Sequence, residues 1–143
     1  MERIVKYILS IIFFVNAASA VIIEPRLYGK WEYVGFQYQG NYYHTNPNLH
    51  VVFNFESEDR LRLSWTRDDD QSHCARLAEY KISDDVLYQK VIWLDPENSF
   101  GCSSDPDMVL GQVSETQFST SENVLNLYLS LNGEQLIYIL NRL

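Results

Sequence analysis

Apolar and polar residues alternate with period two in eight short runs, with no helical stretch between them. This pattern most limits the folds open to the 143-residue chain. Successive side chains of an extended strand point to opposite faces, so each such run buries one face only as a strand. Tyr28 to Gln39 is the first run. Leu49 to Phe55 is the second, with Leu49, Val51, Phe53 and Phe55 on one face. Arg60 to Arg67 sets Leu61, Leu63 and Trp65 against Arg62, Ser64 and Thr66. Cys74 to Ile82, Val86 to Leu94 and Gly111 to Phe118 follow. Val124 to Leu131 aligns Leu125, Leu127, Leu129 and Leu131, and Gln135 to Arg142 follows the hairpin dipeptide Asn132-Gly133.

Sequential strands joined by turns pair antiparallel, so the pattern predicts an all-β, eight-stranded antiparallel up-and-down meander. Closing the sheet into a β-barrel removes both edges. A sandwich is the alternative, but no long return connection of the Greek-key kind is present. Connections in a meander alternate between its ends. Residues 40–48, 68–73, 95–110 and 132–134 therefore share one rim, and 56–59, 83–85 and 119–123 the other. All the long loops fall at the first rim.

The chain starts with an address. Arg3 and Lys6 precede an apolar run from Tyr7 to Val15, and Ala18-Ser19-Ala20 supplies a small-residue cleavage site. That is the layout of a secretory signal peptide over residues 1–20, too short in its apolar part to span a bilayer. The expected mature protein is one domain, 21–143, exported to a periplasm or secreted. Export favours one intramolecular disulfide between Cys74 and Cys102, the only cysteines. A net charge of −8 argues against nucleic acid or an anionic membrane as partner.

At Gly29-Lys30-Trp31 the sequence resembles the lipocalins and their calycin relatives, the small bacterial exported lipocalin-like barrels above all. A Gly-x-Trp opening the first strand of an exported eight-stranded barrel carries the resemblance. It implies that Trp31 plugs the closed end and that a basic residue near the chain end, here Arg142, packs across it. Gly29, Trp31 and Arg142 are thus expected to be structural. Avidin-type barrels also begin with Gly-Lys-Trp. The chain ends at Leu143 without a flanking helix, and it lacks the helical lid of the intracellular fatty-acid-binding proteins.

No catalytic constellation is present: no GxSxG elbow, no HExxH and no Gly-rich phosphate loop. His44, His50 and His73 lack ligand-like spacing, so neither an enzyme nor a cofactor is implied. Asp68-Asp69-Asp70 and the acids Asp95, Glu97, Asp105 and Asp107 form an acidic rim. It reads as solvated charge, with a divalent-cation site as the sharper alternative, but its spacing is not that of an EF-hand.

The resemblance implies a small apolar or amphipathic ligand inside the barrel. Trp65, Trp93 and Tyr138 are expected to wall its pocket, with Tyr80 and Phe53 deeper and Tyr42 and Tyr43 on a flap. A barrel packed solid by its own side chains is the competing expectation. The protein would then be an inhibitor or envelope adaptor, reading a protein partner through loops 40–48 and 95–110. Ile137 and Ile139 on the outer face of the last strand call for cover by residues 21–23 or by a second copy.

Overall fold

The structure, a computed structural model, describes residues 26–143. The expected leader and the 21–23 cover lie outside the described residues. Nine strands run in chain order: β1 Gly29–Tyr38, β2 Asn41–His44, β3 Leu49–Phe55, β4 Arg60–Arg67, β5 His73–Ser83, β6 Val86–Leu94, β7 Val113–Ser121, β8 Val124–Leu131 and β9 Glu134–Arg142. Each barrel strand pairs antiparallel with its sequence neighbour, and β1 also pairs with β9. The result is a closed eight-stranded antiparallel barrel, the architecture the alternation calls for. The extra strand, β2, pairs only with the far end of β1 and stands outside the closed ring. It converts the expected loop 40–48 into a hairpin.

Two bulges change which side chains face inward. In β1, Tyr33 pairs with Leu140 but Gly35 with Ile139, so Val34 is the extra residue. Trp31 and Tyr33 point in before it, and Phe36 points in after it, opposite Tyr138. In β6, Val91 pairs with Ala78 and Trp93 with Leu77, which makes Ile92 the extra residue. A one-residue insertion reverses the alternation of everything beyond it. Val91 is therefore buried as expected, while Trp93 is turned outward and is 39% exposed. There it lies under the Arg62 guanidinium, 5.5 Å from its ring centre. The sequence reading that put Trp93 on the interior wall is corrected by this bulge.

The closed end is a clamp. Trp31 is fully buried, and its indole N–H donates to the Leu27 carbonyl at 2.9 Å. Arg142 pairs directly with Trp31 across the β1–β9 ladder and sets its guanidinium 4.1 Å from the indole centre. The same guanidinium donates to the carbonyls of Tyr28 and Arg26, tying the incoming chain across the barrel bottom. Gly29 sits at φ +107°, a backbone shape other residues resist, with Arg142 Nη1 beside it. Leu27, Phe55, Leu61, Phe118, Leu125 and Leu140 fill the space above.

The opposite rim is elaborate. Cys74 and Cys102 form the expected disulfide, spanning 28 residues with Cα atoms 5.7 Å apart. It pins the loop after β6, which contains two short 3₁₀ turns, Cys102–Ser104 and Pro106–Met108. Asn98 locks the same loop to the edge of β5 by bonding both the N–H and the carbonyl of Ala75. Met108 then drops into the core.

Removing the closed-end clamp deletes a cation–π contact and two hydrogen bonds from a charged donor. R142A is expected to lower unfolding free energy by about 2–3 kcal/mol, read by urea denaturation. A loss below about 1 kcal/mol, the range of an ordinary surface change, would show that the clamp does not hold the barrel end.

Candidate functional site

The barrel interior is divided. A chamber of about 300 Å³ opens at the elaborate rim and is walled by Leu49, Val51, Leu63, Trp65 and Tyr33. A second, of about 640 Å³, lies toward β7, β8 and the β8–β9 turn and is lined by Arg76, Gln89, Ser114, Thr116, Leu127 and Glu134. Phe53, Tyr138 and Asp107 line both. Both chambers are lined by a mixture of apolar and polar groups, and both fall in the size range of small-molecule sites.

The second chamber lies where β7 and β8 part company. Their ladder runs from Ser121↔Val124 only as far as Gln117↔Tyr128. Residues 113–116 of β7 stay with β6, and residues 129–131 of β8 stay with β9. The sheet gapes along that stretch, so Leu129 and Leu131 are exposed although their parity matches the buried Leu125 and Leu127. A row expected to be wholly internal therefore ends as the lip of a cleft.

Arg76 is the central group. It lies on β5 with Cys74, Ala78 and Tyr80, whose face turns into the barrel, and it is only 2% exposed. Its Nη2 donates to Gln89 Oε1 at 2.9 Å, while Nε and Nη1 have no hydrogen-bond acceptor among the described residues. Burial pulls its pKa down, and the charges of Asp107 and Asp105 act in the opposite sense. Asp107 is exposed as a residue on the rim loop, yet it lines both chambers; desolvation raises its pKa despite the attraction of Arg76. Desolvation, then Asp107 and Asp105, also raise the Tyr138 phenol.

The other expected site residues fall into three groups. Trp65, Phe53 and Tyr138 do line the cavity. Tyr80 points inward but donates its hydroxyl to the Ser57 carbonyl at 2.7 Å and stacks edge-on against Phe55, toward the closed end. It belongs to the barrel floor, and its assignment to a ligand wall is corrected. Tyr42 and Tyr43 ride on the β1–β2 hairpin: Tyr43 stacks on Phe36 at 4.9 Å, and Tyr42 lies over Gly35 and bonds the Val34 carbonyl. Neither tyrosine lines either chamber.

Sequence reasoning missed Arg76, Gln89 and the inward role of Asp107. The signal was available for the first: Arg76 shares the parity of Tyr80 and Ile82, so an arginine sat on a face already assigned to the interior.

The acidic rim is largely occupied with itself. Asp70 accepts from the Ser72 N–H and hydroxyl, which lowers its pKa, and Asp95 is lowered chiefly by the Glu97 N–H. Asp105 caps the second 3₁₀ turn through the Asp107 N–H. His50, outside the barrel between Asp68 and Glu32, is shifted upward, first by its bond to Asp68. Among the described residues no three His, Cys, Asp or Glu side chains converge at metal-binding spacing.

Tyr33 reports on the chamber wall. Burial first, then the phenols of Tyr138 and Tyr42, push its pKa from 10.0 to about 12. Its stabilising contribution is therefore complete below pH 10 and lost as pH rises through 12. In an alkaline titration of tyrosinate absorbance, Y33F should delete the last-ionising step and soften the alkaline loss of stability. An unchanged late step would place Tyr33 in water.

Neither a family model nor a curated relative matches this sequence. Solved structures do. A lipocalin-like protein from Bacteroides uniformis ATCC 8492 aligns with a TM-score of 0.57 at 19% identity, over 82% of this chain and 99% of that one. An uncharacterized protein from Bacteroides eggerthii DSM 20697 aligns with a TM-score of 0.52 at 16% identity, over 81% and 98%. Likeness at this identity concerns the fold, and it agrees with the closed eight-stranded ring. The chain has a lipocalin-like fold.

Proposed function

We propose that this protein is a non-enzymatic carrier or sensor that holds a small amphipathic molecule inside its barrel. One observation carries the reading: the interior is not filled by its own side chains but holds two adjoining chambers of about 300 and 640 Å³. A solid barrel would put Phe53, Trp65 and Tyr138 in mutual contact at interior density. Here Tyr138 meets Tyr33 edge-on, 5.1 Å between ring centres, and the remaining space is open to the rim.

Export is part of the proposal. A leader-like segment at residues 1–20 and the Cys74–Cys102 disulfide support it, since such bonds persist outside the cytosol. Among the described residues no helix is long and apolar enough to cross a membrane. A second reading rests on the hairpin. Tyr42 and Tyr43, 46% and 44% exposed, lie on a strand whose outer edge has no partner strand among the described residues, which suits docking of a protein segment there.

Trp65 gives the test. Trp31 is sealed at the floor and Trp93 lies outside, so Trp65 alone of the tryptophans faces the cavity. A neutral phenylnaphthylamine dye should bind saturably and quench tryptophan emission. In W65A the quenching should vanish and affinity should fall about ten-fold, some 1.4 kcal/mol. Absence of saturable binding by any apolar probe would overturn the reading.

A further inference from the structure

The β1–β2 hairpin ends in a strand edge that no other strand covers among the described residues. Its loop is two residues long, Gln39 and Gly40, both at positive φ (+48° and +78°), which fits the twist of the paired strands. β2 pairs with β1 from Tyr38↔Asn41 to Gly35↔His44, and the Thr45 N–H donates to the Val34 carbonyl at 3.2 Å. Backbone groups alternate sides along a strand, so Asn41, Tyr43 and Thr45 turn theirs to β1, while Tyr42 and His44 turn theirs away from it. All four residues of β2 are exposed. Natural edges are blunted by a charge, a proline or a bulge. Asn41-Tyr42-Tyr43-His44 contains no Asp, Glu, Lys, Arg or Pro, and its register with β1 is unbroken.

We propose that this edge is a self-association surface, on which a second copy of the chain lays its own β2 antiparallel across a two-fold axis at Tyr43. The proposal rests on the free edge noted above, names its occupant, and is independent of the cavity. Charge selects a second copy over a foreign segment. The chain carries a net charge of −8, so two copies repel wherever their acidic surfaces meet. From Tyr33 to Phe55 it holds no Asp, Glu, Lys or Arg. A foreign partner of so acidic a chain would be drawn to the acidic loops 68–73 and 95–110, whereas the uncharged edge is where a like-charged copy can approach. The other unpaired edges, 113–116 of β7 and 129–131 of β8, lie beside Glu115 and Glu134, whose charges would meet like charges on a second copy.

The geometry is self-complementary. With the axis at Tyr43, Tyr42 exchanges both backbone hydrogen bonds with His44 of the partner subunit, and His44 does the same with the partner's Tyr42. A two-fold contact requires this reciprocity. Tyr43 then faces the partner's Tyr43 as a close, non-hydrogen-bonded pair, the setting in which cross-strand aromatic side chains touch. The rings are already held in place. Tyr43 stacks on Phe36 with centres 4.9 Å apart, Tyr42 donates its hydroxyl to the Val34 carbonyl at 3.2 Å, and the His44 ring stands edge-on to Tyr42 at 4.7 Å. Little side-chain freedom is left to lose on association. Gly35 permits this arrangement, because a Cβ there would collide with the Tyr43 carbonyl and the Tyr42 ring. One short strand per copy makes a small interface, at the transient end of the size range, so the dimer is expected at micromolar concentrations rather than below them.

Sedimentation velocity over a concentration series on the full mature chain reads the outcome. Wild type should pass from monomer to dimer as concentration rises. Added salt should strengthen the dimer, because it screens the repulsion between acidic copies without weakening an uncharged contact. His44→Pro removes an N–H that points away from β1, and should abolish the dimer at unchanged melting temperature. Tyr43→Lys and Tyr43→Glu each bring like charges together at the axis. Each alone should be monomeric, and an equimolar mixture should dimerise again, a rescue that a merely misfolded variant would not give. A wild type that stays monomeric across the series, a dimer that survives His44→Pro, or folded Tyr43 variants whose mixture stays monomeric would each overturn the inference. Any of these would leave the cavity, and capture of a foreign segment by the edge, to their own tests.

Discussion

The β1–β9 ladder is the interaction on which the rest of the structure depends. Without it the sheet would have two long edges and no inside; with it, eight sequential strands enclose a volume. The ladder is anchored where Trp31 faces Arg142, the pair in which a cation covers an indole and also binds the chain that crosses beneath. One residue thus closes the sheet, seals its floor and fixes the path of residues 26–28. Leu27, Trp31, Leu125 and Leu140 near that end are fully buried. The opposite end is free to stay open because its stability comes from elsewhere.

That asymmetry explains how a chain this short holds a cavity. The rim loop after β6 is fastened three ways, by the disulfide, by the Asn98 bonds to β5 and by Met108 in the core. Closing a loop of 28 residues is worth about 3–4 kcal/mol by the chain-entropy account. A loop so fixed can carry Asp105 and Asp107 over the mouth without strands beneath it. The gap between β7 and β8 has the opposite character: strand edges there are left unpaired, but they are short and carry Ser114, Glu115 and Thr116, which discourage pairing with another chain.

Much of this was legible in the sequence, and the failures have specific causes. Alternation placed β3, β4, β6 and β8 with their observed limits, because a half-buried strand must alternate. The Trp31–Arg142 clamp followed from the lipocalin resemblance, and the disulfide from the expected export and the cysteine count. Trp93 was misplaced because a single extra residue, Ile92, inverts the faces beyond it, and nothing local in Val91-Ile92-Trp93-Leu94 marks a bulge. Leu129 and Leu131 were assigned inside because parity says which way a residue points, not whether the neighbouring strand is still there to cover it. Tyr80 was placed on the correct face at the wrong depth, since its fate was set by a hydroxyl partner in the β3–β4 turn.

Arg76 differs in kind from these. Its parity on β5 put it inside from the start, and hydrophobic pattern-matching passed over it because a charged residue on an inward face looks like noise in an otherwise apolar row. The structure shows that it is a local conflict left standing: a buried charge with one neutral hydrogen-bond partner among the described residues and two acids at a distance. Sequences that fold well remove such conflicts wherever stability alone decides. The clamped floor and the stapled rim supply stability enough to carry one.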